Sequence, residues 1–205
     1  MKSKTDLNDK FISFLEQTKG EKPKTVQHLN DRVLIVDGLN TFIRAFAVNP
    51  TVNEDGLHIG GMVGFMKSVR YSCDILKPSR CIIVFDGKGG SARRRKIFPD
   101  YKMKKNVRFR VNRALSLDLD QTEESSSMKY QIVKLIQYLN LLPVTTICMD
   151  NVEADDVMAL LARSYFSGLG KKCTIMSTDK DFLQLVDEGS CLRFYLLRFA
   201  LHHLI

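Results

Sequence analysis

The stretch MDNVEADDVMALLARSYFSGLGKKCTIMSTDKDFLQLV, residues 149–186, decides the reading of this chain. It carries five acids in two clusters: Glu153, Asp155 and Asp156, then Asp179 and Asp181. Asp150 or Asn151 is suited to cap a helix whose first turn holds the first cluster. Val157, Leu160 and Leu161 recur at the spacing of a helix's core face, and Gly168-Leu-Gly170 ends the element. A short strand, Cys173–Ser177, then delivers Asp179 beyond its C-terminal end, and Asp181 opens a short helix over Phe182–Val186. Acids in a first helical turn also offset the macrodipole, so the first cluster alone does not define a metal site.

Two further acids change the balance. Val33–Asp37 and Cys81–Asp86 are apolar runs ending in aspartate, the pattern of buried parallel strands. Open α/β sheets place ligand sites at the carboxyl ends of their strands. Asp37, Asp86, Glu153, Asp155, Asp156, Asp179 and Asp181 are therefore expected at one edge. Such a cluster repels itself and calls for cations or protons. All-oxygen donors suit Mg²⁺ or Mn²⁺.

Charge is distributed unevenly. The chain has 205 residues and a net charge of +8. Residues 88–113 hold eleven Lys or Arg and a single acid, Asp100, so the remainder is net acidic. A block of like charge marks a segment for a polyanionic partner, a solvated basic face being the alternative. The run Arg93-Arg-Arg-Lys96 opens this segment, and Phe98, Tyr101, Lys102, Lys104 and Lys105 follow. Lysines and arginines there neutralise phosphates, and Tyr101 or Phe98 can stack a base. The preceding Gly87-Lys-Gly-Gly-Ser91 lacks the pattern of a P-loop, which excludes a nucleoside triphosphatase of that type. Five scattered cysteines without a C-x-x-C pair fit thiols in a reducing compartment. The N-terminus has no apolar signal region, and no stretch is long enough to span a bilayer.

Four separate motifs, Val36-Asp37, Phe85-Asp-Gly87, Val152-Glu-Ala-Asp-Asp156 and Ser177-Thr-Asp-Lys-Asp181 with Gln184-Leu185, resemble the flap endonuclease/5′→3′ exonuclease family. The resemblance is to its bacterial and bacteriophage branch and covers roughly residues 32–187. It implies an α/β fold: a mostly parallel twisted sheet, PIN-like, with helices on both faces and an inserted basic helical arch at about 88–127. It implies metal-dependent hydrolysis of phosphodiester bonds near 5′ ends of DNA or RNA–DNA, as in primer removal. Two Mg²⁺ ions are expected, with Mn²⁺ as a substitute. Asp37, Asp86, Glu153 and Asp155 best fit one ion and Asp181 the other, with Asp156 and Asp179 between them. Arg94, Lys102 and Lys105 would orient the scissile phosphate. Arg44, Arg93, Arg95, Lys96, Tyr101 and Lys104 would bind nucleic acid, a surface arginine being the alternative for Arg44. The implied partners are DNA with a 5′ single-stranded flap or an RNA–DNA hybrid, and replication proteins. The implied setting is the cytoplasm, or a host's cytoplasm for a bacteriophage protein, with no membrane.

The remaining expectations concern the ends and the connections. Residues 1–30 form a polar extension and 31–190 the nuclease domain. Residues 191–205 form an apolar tail unlike the family, so the chain reads as an incomplete nuclease whose tail must cover the sheet edge or stay sticky. Gly60-Gly61 opens a helix over Met62–Leu76 with Val63, Met66, Val69 and Cys73 on its core face. Those glycines serve either an approach to DNA or close helix packing. His58 reads as a surface residue. A helix from about Met128 to Leu141 buries Ile132, Val133, Leu135, Ile136 and Leu139, and a third strand follows over Val144–Cys148. Two other readings share part of these signals: a PIN-type ribonuclease, and a truncated non-catalytic protein that binds nucleic acid.

Overall fold

This computed structural model describes residues 31–101, 120–166, 168–186 and 192–196. The order of elements is β1 (Arg32–Asp37), α1 (Gly38–Val48), α2 (Gly60–Leu76), β2 (Arg80–Asp86), α3 (Ala92–Ile97) and α4 (Gln121–Leu139). Then come β3 (Thr145–Met149), α5 (Ala154–Ala159), a π-helical continuation (Leu160–Phe166), β4 (Lys172–Ser177), a 3₁₀ turn (Lys180–Leu185) and β5 (Leu192–Leu196). The strands form one sheet in the order β3-β2-β1-β4-β5, with every pair parallel. The expected parallel α/β fold is what the chain adopts.

Alternation along the strands builds two cores. Successive side chains point to opposite faces. Leu34, Val36, Cys81 and Ile83 therefore join Phe42, Phe46, Phe65, Leu135 and Leu139 from α1, α2 and α4. Val33, Ile35, Ile82 and Val84 join Val157, Met158, Ala162 and Phe166 on the other face. Each fully buried phenylalanine contributes about 2–3 kcal/mol. The central strand β1 is buried on both faces and ends at the site.

Several local expectations are corrected. In α5 the core phase shifts at the π-helical segment: Leu160 is 62% exposed, and Ala162 and Phe166 are buried instead. An extra residue per turn rotates the apolar stripe, which a 3.6-residue period cannot foresee. The long helix α4 starts at Gln121 rather than near Met128. Asp120 accepts hydrogen bonds from the Thr122 and Glu123 N–H groups, and Glu123 caps the Asp120 N–H in return. In that helix Val133 is exposed, while Leu135 and Leu139 are buried. Strand β3 sits one residue later than expected, and the 3₁₀ turn begins two residues before Phe182.

His58 is buried, not superficial: it is only 5% exposed. Its Nε2–H donates to the Asn49 carbonyl at 2.7 Å, and the Gln131 amide donates to the His58 carbonyl at 2.7 Å. The same glutamine accepts from the Met62 N–H at 3.1 Å, so one polar strut fixes the start of α2 against α4. The glycines beside it serve packing. A Cβ at Gly60 would overlap the Asn49 carbonyl, and one at Gly61 would lie 2.8 Å from the Phe42 ring. This close approach also turns α2, so that Gly61, Gly64, Phe65, Ser68, Val69 and Ser72 are buried while Val63, Met66 and Cys73 are half-buried.

The start of the expected apolar tail is strand β5. It pairs in register with β4, Cys173 opposite Leu192 through Ser177 opposite Leu196. Of the two expected fates for that tail, covering the sheet edge is the one these residues take. The N-terminal 30 residues and most of the segment expected to form the arch, including Lys102, Lys104 and Lys105, lie outside the described residues.

Candidate metal and phosphate site at the strand ends

The strand order has its turning point at β1, with β2 on one side and β4 on the other. Connections on its two sides leave toward opposite faces and open a crevice at the carboxyl ends. Asp37 ends β1 inside that crevice and is buried. Its Oδ1 accepts from the Asn40 N–H at 3.0 Å, capping α1, and its Oδ2 accepts from the Ser177 hydroxyl at 2.9 Å. Across the same gap the Thr178 hydroxyl donates to Asn40 Oδ1 at 2.7 Å. Gly38 permits this tight exit: a Cβ there would lie 2.8 Å from the Val84 carbonyl oxygen.

The electrostatics follow from the geometry. Burial pushes the Asp37 carboxyl up to about 6; the bonds from Asn40 and Ser177 pull it down, and the like charges of Asp155 and Asp86 push it up. Asp86 ends β2 and accepts from the Ala154 N–H at 2.9 Å, at the N-terminus of α5. The cap residue of α5 is Glu153, in place of the expected Asp150 or Asn151; Asp150 instead accepts from the Lys88 N–H at 2.8 Å. Glu153 makes no side-chain cap bond, and its buried carboxylate is turned toward α3 and Tyr101.

There it meets the base of the basic segment. Arg94 forms an ion pair with Glu153 and donates from Nη2 to Asp156 Oδ1 at 2.6 Å. Tyr101 donates its hydroxyl to Glu153 Oε2 at 3.0 Å, and the Arg94 guanidinium lies 5.5 Å from the Tyr101 ring centroid. Arg94, Tyr101, Asp155, Asp156, Asp179 and Asp181 line one cleft of about 280 Å³. Asp179 caps the 3₁₀ turn by accepting from the Asp181 N–H at 3.0 Å. Arg95 lies in a neighbouring cleft with Asp86 and Glu153. Lys96 is exposed on α3, Arg44 is exposed on α1, and Arg93 is placed by the backbone of α3. All seven expected acids thus lie at one end of the sheet, with Arg94 and Tyr101 among them.

The donor set fits divalent cations of the Mg²⁺ or Mn²⁺ class, because every side chain in it offers carboxylate oxygen. Burial first, and then the like charges of Asp155 and Asp86, raise the Asp37 carboxyl, and a cation beside it would offset both. Among the described residues no three Asp, Glu, His or Cys side chains converge closely enough to enclose an ion as they stand. Like charges do not converge without compensation, and Arg94 already supplies it to Glu153 and Asp156. Sequence reasoning missed this bridge, along with Ser177 and Asn40 as the groups that hold Asp37. Ser177 stands two residues before Asp179 in the motif, which was the available signal.

An α/β domain with an acidic crevice at its strand ends and Arg94 and Tyr101 set against it is the class that this fold and site define. The chain belongs to the family of the 5′-3′ exonuclease N-terminal, resolvase-like domain, whose model matches residues 32–200. That match runs past the point near Val186 where the motif resemblance ends. A 5′-3′ exonuclease of Aquifex aeolicus is 30% identical over 156 residues, 76% of this chain and 48% of the relative. Flap endonuclease Xni of Shewanella sediminis is 34% identical over 155 residues, 75% of this chain and 52% of the relative. The chain spans about half the length of these relatives. Bacteriophage T5 flap endonuclease, solved as a pseudo-enzyme–product complex with DNA and metal ions, shares the fold. Its TM-score is 0.57 at 15% identity, covering 81% of this chain and 55% of that one. Among the described residues no helix is long and apolar enough to cross a membrane.

Proposed function

We propose that this chain carries the catalytic acids of a 5′-nuclease, which hydrolyses phosphodiester bonds near 5′ ends of DNA or RNA–DNA with Mg²⁺ or Mn²⁺. The observation that carries this reading is the buried Asp37, braced by Ser177 and Asn40 beside Asp86, Glu153 and Asp155. Asp37, Asp86, Glu153 and Asp155 would hold one ion and Asp181 a second, with Asp156 and Asp179 between them. Bound divalent ions supply Lewis acidity at the phosphoryl oxygens and acidify a water.

The chain's own residues do the rest. Ser177 and Asn40 keep both Asp37 oxygens oriented, so this carboxylate is a fixed point about which the other acids would gather on loading. Arg94 and Tyr101 stand at the rim, where a phosphate would exchange for the carboxylates they now hold. Arg93, Arg95, Lys96, Lys102, Lys104 and Lys105 supply a basic track for a single strand, and Arg44 a further phosphate contact. The substrates are DNA with a 5′ single-stranded flap or an RNA–DNA hybrid. The setting is the cytoplasm, alongside replication proteins.

The test is cleavage of a 5′-flap substrate and of an RNA-primed substrate, with Mg²⁺ and with chelator. Metal-dependent cutting near the 5′ junction supports the reading. Binding without cutting, for both the parent and Asp179→Ala, overturns it in favour of a nucleic-acid-binding protein.

A further inference from the structure

Asp150 and Asn151 stand outside the seven acids, in the turn between β3 and α5, and neither caps that helix. They hold the loop that follows β2 instead. The Lys88 N–H donates to Asp150 Oδ1 at 2.8 Å, and the Lys88 carbonyl accepts from the Asn151 N–H at 2.9 Å. Both backbone polar groups of Lys88 are thus clamped by two adjacent residues of the next strand's exit. The turn is shaped for this task. Asn151 has a φ of 62°, in the left-handed region that asparagine adopts more readily than most side chains. The loop is shaped to match. A Cβ at Gly87 would overlap the Met149 carbonyl, and one at Gly90 would lie 3.0 Å from the Val152 carbonyl oxygen.

We propose that this clamp aims Arg94, with Asp150 as the positioning residue; the proposal rests on the nuclease reading above and adds a residue to it. The clamp lies between the two halves of the site. On one side, Asp86 is tied to the start of α5 by the Ala154 N–H, a bond that does not involve Asp150. On the other side, only Gly89, Gly90 and Ser91 separate Lys88 from α3. The backbone bonds there, Ala92 N–H to the Gly89 carbonyl at 2.8 Å and Arg95 N–H to the Ser91 carbonyl at 3.0 Å, stay within the loop and the helix. A helix of six residues does not hold itself. Its direction is set where the clamp releases the chain, and Arg94 reaches Glu153 and Asp156 from there. The bond to Lys88 needs an acceptor oxygen and no charge, which separates the role of Asp150 from that of a metal ligand.

The experiment compares the full chain with Asp150→Ala, Asp150→Asn, Arg94→Gln and the double variant Arg94→Gln/Asp150→Ala. On a 5′-flap substrate Asp150→Ala should lower kcat roughly 10-fold with KM little changed. Asp150→Asn keeps an oxygen for the Lys88 N–H and should cut like the parent. In the Arg94→Gln background the alanine change should have no further effect, because the group it aims is gone. Calorimetric titration of chelator-treated protein gives a readout without substrate. There Asp150→Ala should bind Mn²⁺ more tightly than the parent, by roughly 3-fold, since a misaimed Arg94 neutralises Glu153 and Asp156 less.

Three outcomes overturn the proposal. Asp150→Asn is as slow as Asp150→Ala, which makes charge the active property. Asp150→Ala lowers kcat equally with and without Arg94. Or Asp150→Ala binds Mn²⁺ no more tightly than the parent, which leaves the Arg94 bridge independent of the clamp. A parent that does not cut flaps counts against the nuclease reading alone, and the Mn²⁺ titration then decides the clamp by itself.

Discussion

Asp37 and Arg94 stand in the same acidic end of the molecule and are held in opposite ways. Asp37 is buried at the end of the central strand, with both oxygens fixed by neighbours from β4 and α1. Arg94 lies on the six-residue helix α3, 38% exposed, and reaches across to Glu153 and Asp156. The first is a fixed part of the sheet. The second is a charge laid over acids that another cation or a phosphate can claim. A nuclease site needs both kinds of part: donors that do not move, and a rim that exchanges partners.

The largest expected effect breaks the fixed half. Asp37→Ala or Asp179→Ala should lower cleavage on the order of 10³-fold, the scale of groups that act at developing charge. The circular dichroism spectrum should match that of the parent, because neither side chain belongs to an apolar core. Parent-like turnover would remove these residues from the site.

The exchangeable half responds differently. Arg94→Gln releases Glu153 and Asp156, so calorimetric titration should find Mn²⁺ bound more tightly than by the parent, by roughly 10-fold. Turnover should fall at the same time, since the phosphate loses its guanidinium. If affinity for Mn²⁺ drops with turnover, the bridge supports the site rather than competing for it.

A third effect is on stability and has a definite sign. The folded-state pKa of Asp37, about 6, lies above its ordinary 3.8, so the folded chain holds this proton more tightly than the unfolded chain. In chelator, stability should therefore fall as pH rises from 3.8 through about 6, by roughly 3 kcal/mol as an upper figure for this group. Asp37→Asn should remove that slope and raise Tm at pH 7.5 by about 5 °C. A variant less stable than the parent at that pH would mean that the Ser177 and Asn40 bonds outweigh burial. The smallest effect is on the basic arm. Replacing Arg93, Arg95 and Lys96 by Gln should flatten the salt dependence of single-strand binding by about two to three units of slope. An unchanged slope would take α3 out of the strand's path.

The parts legible in the sequence were those that repeat a simple period. β1 and β2 read correctly because buried parallel strands are unbroken apolar runs, and an aspartate ends each. The acid cluster followed from that, since strand ends of a parallel sheet share one edge. Other features depend on interactions between distant residues, and no local pattern announces them. His58 is buried because Gln131, far along the chain, reaches it. Leu160 is exposed because one π-helical segment shifts the stripe. Arg94 could be assigned to phosphate from its place in the motif. Its bridge to Glu153 and Asp156 needed the fold, which brings α3 against the start of α5.

The central claim is that the strand-end carboxylates hold divalent ions for hydrolysis of a 5′-ended strand. The most direct measurement is the rate of 5′-flap cleavage by the purified chain as Mn²⁺ is titrated into chelator-treated protein, with Asp37→Asn in parallel. The account predicts no cutting before metal, saturable cutting as metal is added, and none by Asp37→Asn at any concentration. Cutting in chelator, or equal cutting by Asp37→Asn, would contradict it.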